Sequence, residues 1–84
     1  MAWIESIDVD VVKFDFITML GTCGDRLEAM MNTGQKVTIF TGVKDINANM
    51  LIKEIINKNS QMYENDIIRQ DDINVMAKFM KSTS

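Results

Sequence analysis

Asp45-x-Asn47-x-Asn49 has the spacing that opens a calcium loop. The sixth position of such a loop needs Gly for its turn, and the twelfth needs a bidentate carboxylate. Here those positions are Met50 and Ile56, so the segment reads as a helix start with capping side chains. Gly21-Thr22-Cys23-Gly24-Asp25 is rich in glycine. A phosphate cradle needs a longer glycine pattern with Lys after its last Gly, and a dinucleotide fingerprint needs a strand before it. Neither pattern is present, and the stretch reads as a hinge inside a helical region. A nucleophilic Cys needs a His, a basic group or a helix N-terminus beside it. The chain has no His, and Arg26 is flanked by Asp25 and Glu28, so Cys23 reads as a small buried hydrophobe. The carboxylate pairs Asp8/Asp10 and Asp71/Asp72 fall where helix starts are expected, and capping accounts for them.

Without His, the Ser-His and Cys-His pairs and the commonest metal ligand are missing. One Cys builds neither an intrachain disulfide nor a Cys-rich zinc site. The expectation is a protein that is not an enzyme and that holds no cofactor and no metal. The 84 residues make one small domain, 1–84, with 46% apolar and 25% charged residues, as a soluble globular chain has. A net charge of −3 argues against nucleic acid as a partner. Residues 1–42 carry Lys13, Arg26 and Lys36 against Glu5, Asp8, Asp10, Asp15, Asp25 and Glu28, whereas residues 43–84 hold six charges of each sign. The first half is either a solvated acidic face or a surface for a basic partner. No stretch approaches the roughly 20 apolar residues of a membrane span, and no signal peptide is visible. The expected compartment is the cytoplasm, although a leaderless secretion route would leave no trace in the sequence.

The elements that must position any site divide at Gly42. Residues 4–20 admit two readings. With period two, Ile7, Val9 and Val11 share one face, and after a slip Val12, Phe14 and Phe16 share another; that reading demands a bulge. With helical period, Val9, Val12, Phe16, Met19 and Cys23 form a stripe that continues through Leu27, Met30 and Met31. The helical reading is preferred, with a break at Gly21–Gly24 and a restart at Asp25. Asn32-Thr33-Gly34 then stops the helix. Lys36–Thr41 is the best strand candidate, closed by Gly42. Residues 45–82 read as helical, capped by Asp45 or Asn47, with a break at Asn57–Ser60 or at Gln70–Asp72, where Asp71 or Asp72 caps the last helix. The expected fold is mainly α, a small helical domain of three to four helices, with room for a minor β element near residues 36–41. The alternative is α+β, if residues 4–17 form a strand.

A chain this short buries only about 60% of its unfolded surface, so its core is marginal alone. Eight Met and eleven Ile are a generous apolar supply, and Met suits both core filling and adaptable surfaces. These features point to a non-enzymatic protein–protein interaction module, a small helical subunit that forms a homo-oligomer or docks on a larger complex. The expected contact residues are Trp3, Phe14, Phe16 and Met62, followed by Tyr63, Met76, Phe79 and Met80. A second reading is a small acidic regulator that binds a basic surface of a host enzyme or transcription factor.

A third reading comes from the segments Met1-Ala2-Trp3, Asp10 with Lys13-Phe14-Asp15, and Tyr63 through Phe79. There the chain looks similar to needle subunits of type III secretion systems. The resemblance covers about a third of the chain and implies a helical hairpin that self-assembles. The Pro-containing turn between the helices of that family is absent here, and Lys36–Thr41 inserts a strand-like segment.

Overall fold

The computed structural model describes residues 2–81. In chain order these form β1 (Trp3–Glu5), β2 (Val11–Lys13), a 3-10 turn (Phe14–Phe16), β3 (Ile17–Cys23), β4 (Arg26–Met31) and β5 (Lys36–Thr41), then α1 (Ala48–Ser60), β6 (Ile67–Ile68) and α2 (Gln70–Lys78). The strands make two three-stranded sheets, β2-β1-β6 and β3-β4-β5. The expected mainly α domain of three to four helices is therefore overturned. The protein is a strand-rich α+β fold, not a small helical protein, and residues 36–41 are a full sheet strand. The helical hairpin implied by the needle-subunit resemblance falls for the same reason, since residues 3–41 are strands and turns.

The apolar stripe in the first half dissolves in three dimensions. Val12 and Leu27 are buried, while Val9, Phe16, Met19 and Cys23 are exposed. What decides the local structure is turn chemistry. Cys23-Gly24-Asp25-Arg26 closes the β3–β4 hairpin with a two-residue loop. Gly24 has φ +61° and no non-glycine residue has positive φ, the pattern of a type II′ turn, whose twist matches the flanking strands. Asp25 also anchors the chain leaving β5. Its carbonyl accepts from Gly42 N–H at 3.0 Å and its Oδ1 accepts from Lys44 N–H at 3.0 Å. The second hairpin turns at Asn32-Thr33-Gly34, with Gly34 at φ +88° and Met31 N–H donating to the Gln35 carbonyl at 2.8 Å. Gly34 thus takes its expected left-handed conformation, but in a hairpin and not at a helix end. The slip in apolar phase over residues 7–16 is absorbed by the loop after β1, the 3-10 turn and a register shift between Ile17 and Met19.

The second half is closer to expectation. Asn47 caps α1, its side chain accepting from Met50 N–H at 3.3 Å. Leu51, Ile55 and Asn59 form the buried stripe of α1, and Ile73 and Ala77 that of α2. The helical region breaks over residues 61–69, between the two expected places. There β6 pairs in parallel with β1, Trp3 opposite Ile67 and Ile4 opposite Ile68. Asp72 is not the cap itself; its Oδ2 accepts from the N–H of the cap residue, Arg69, at 2.9 Å.

Two features tie the sheets together. Ile4, Leu27, Ile39, Leu51, Ile55 and Ile68 have no exposed surface and belong to one core cluster. Above it, the Gln70 side-chain amide donates to the Glu5 carbonyl at 3.1 Å and to the Ile39 carbonyl at 2.7 Å, so one carboxamide bridges β1 and β5. Replacing Gln70 by Ala removes both donors from part-buried carbonyls. It is expected to cost about 1–3 kcal/mol, read as a lower urea midpoint with unchanged slope.

Candidate functional site

The eight expected contact residues do not form one patch. Phe14 lies in the core at 8% exposure. Trp3 is half-buried on β1, with the Lys13 ammonium 5.9 Å from its ring centroid, within cation–π range. Met62, Met76 and Met80 are half-buried and pack against the core. Phe16, Tyr63 and Phe79 are the exposed aromatics, with Tyr63 and Phe79 each 85% accessible. None of the described methionines is fully buried. The core is built from Ile, Leu, Val and Ala with Phe14, and Met31, Met62, Met76 and Met80 line its rim.

Sequence reasoning missed Met19 and Ile56, which are 61% and 50% exposed. The helical reading of the first half turns Met19 inward on its apolar stripe. Instead Met19 lies on β3 and Ile56 on α1, and the two border a surface groove of about 190 Å³ with Phe14, Ile17 and Leu20. A second groove, of about 230 Å³, has Val12, Met31 and Val37 on its walls together with the more exposed Val9 and Phe16. A third hollow, of about 100 Å³, lies on the outer face of the β3-β4-β5 sheet, between Met19, Met30, Glu28 and Lys36. Gly21 is part of it, and a Cβ built there would meet no atom within 4 Å.

The edges of the sheets differ in how they are finished. The outer edge of β5 is closed by side chains: Thr38 N–H donates to Asp8 Oδ2 at 2.7 Å, the Ser6 hydroxyl donates to the Thr38 carbonyl at 2.6 Å, and Gln70 caps Ile39. The edges at β2 and β6 are three and two residues long. The edge at β3 is seven residues long and carries no charge. Hydrogen bonds alternate along an antiparallel pair, and Cys23 opposite Arg26 closes the turn. The N–H and C=O of Leu20 and Thr22 therefore point away from β4. Among the described residues, no loop or side chain bonds them.

Some charged groups pair within the scaffold. Lys13 sits 3.7 Å from Asp15 and 3.6 Å from Glu64, and Arg69 is 3.6 Å from Glu5. Such exposed pairs contribute little to stability. Asp8, in the acidic first half, is exposed, and its Oδ2 accepts from the Thr38 N–H. Among the described residues, no three Cys, Asp or Glu side chains gather as a metal cage would. Among the same residues, no helix is long and apolar enough to cross a membrane.

Cys23 is exposed, which corrects its reading as a buried hydrophobe: the helical stripe that would have buried it does not exist. A thiol reagent such as Ellman's is expected to titrate one Cys per native chain without denaturant. A thiol that stays silent until urea is added would contradict this placement. No protein-family model, curated protein or solved structure matches this chain, so its site is read from its own geometry.

Proposed function

We propose that this chain is a non-enzymatic protein–protein interaction module, a small subunit that assembles with copies of itself or docks on a larger complex. The observation that carries the reading is the apolar surface beside an unfinished sheet edge. Phe16, Met19 and Ile56 are each at least half exposed, and they border the two grooves that flank the start of β3. Adaptable Met side chains and large aromatics at a surface suit protein contacts. A core this small gains stability by covering such surface with a partner.

The second reading, an acidic regulator that binds a basic surface of a host enzyme or transcription factor, has less behind it, because Asp8 accepts from the Thr38 N–H and Asp15 and Glu64 lie beside Lys13. Light scattering coupled to size exclusion, over roughly a hundredfold range of concentration, tests self-association. The expected result is a mass that rises above the 9.6 kDa of one chain. A mass fixed at one chain throughout would remove the self-assembling form of the reading.

A further inference from the structure

We infer that the open edge of β3 is a homodimer interface, at which β3 of one chain pairs antiparallel with β3 of a second copy to make one six-stranded sheet. The inference rests on the self-association reading and names its surface. An uncharged edge with free N–H and C=O groups is a template for another strand, and proteins blunt edges they do not use. Among the described residues the other edges are short or capped, while β3, past its register shift at Ile17/Met19, leaves the run Met19–Cys23 bare. The occupant is a second copy because the strand complements itself.

A two-fold axis through Leu20 sets Leu20 opposite Leu20 of the copy. Thr18, at the register shift and with its hydroxyl donating to the Met30 carbonyl of its own chain at 3.0 Å, then lies opposite Thr22. Met19 faces Gly21, so the 61%-exposed Met19 of each chain enters the hollow over the partner's glycine. Ile17 faces Cys23 at each end. The paired segment Ile17–Cys23 carries no charge and so no like-charge conflict. The nearest flanking carboxylates are already engaged, Asp15 with Lys13 and Asp25 with the Lys44 N–H. Pairing about one axis is isologous and closed. With the remaining edges blunted, assembly through strands stops at two chains.

Cys23, the single thiol, reports the register. The two Cys23 residues are offset by six positions along the pair, so nitroxides placed there are expected about 20 Å apart at the backbone, measured by double electron–electron resonance. Two variants test the edge. Gly21→Lys fills the seat of the partner's Met19 while meeting no neighbour in its own chain and facing Glu28 across β4. Thr22→Pro removes an outward N–H without touching the β4 ladder. Each is expected to raise the dimer dissociation constant at least tenfold while keeping the wild-type circular dichroism spectrum. A wild-type oligomer whose mass neither variant changes, or whose Cys23 labels lie beyond about 40 Å, would overturn the β3 interface and leave self-association standing on another surface. A wild-type chain that is monomeric throughout would overturn both.

Discussion

The Gln70 carboxamide, set between the carbonyls of Glu5 and Ile39, is the contact on which the arrangement of the two sheets depends. Residue 70 lies 65 positions from Glu5 and 31 from Ile39, so the bond spans nearly the whole chain. The Gln70 N–H adds a third bond, donating to Glu5 Oε1 at 2.7 Å, which holds the start of α2 against β1. Buried or part-buried carbonyls must find donors, and β5 has no fourth strand to supply them. The Ser6 hydroxyl and the Ile7 N–H of the loop after β1, and the Gln70 side chain of α2, do it instead. Asn59 does the same at the other end of the core, its Oδ1 accepting from the buried Ala2 N–H at 2.7 Å. The helices therefore act as donors and acceptors for the sheets as well as cover for them.

That pattern explains where reading the sequence succeeded and where it failed. Lys36–Thr41 was legible because β-branched residues are dense there between turn glycines, and Asn47 because its side chain caps a following apolar run. The first half was not, because residues 9, 12, 16, 19, 23 and 27 mimic a helical stripe by coincidence. The discriminating signals were the Gly24-Asp25 and Asn32-Thr33-Gly34 turns, which read as hairpins when the flanking runs are taken as strands. Once those turns are hairpins, Met19 and Cys23 leave the core and become surface. Nothing local announces β6: two isoleucines between helices become a strand only because β1 needs a partner on that side.

The excess of Met left two readings open, core filling and adaptable surface, and the structure divides them: Met31, Met62, Met76 and Met80 pack against the core, while Met19 and Met50 are exposed. Phe14 is a core residue because it falls in a 3-10 turn whose other aromatic, Phe16, points outward. The long edge of β3 was invisible while residues 17–23 were read as helix, since a helix has no unpaired edge to offer.

The parallel pairing of β1 with β6 has a consequence for the order in which the chain is built. During synthesis the β3-β4-β5 meander can close from neighbouring residues as they leave the ribosome. β1 pairs early with β2, but its second side waits for Ile67 and Ile68, 64 positions after their partners. Loop closure of that length is slow relative to local hairpins. For that interval the nascent protein bears two bare strands and not one, and the arrival of β6 and Gln70 ends its exposure to mispairing.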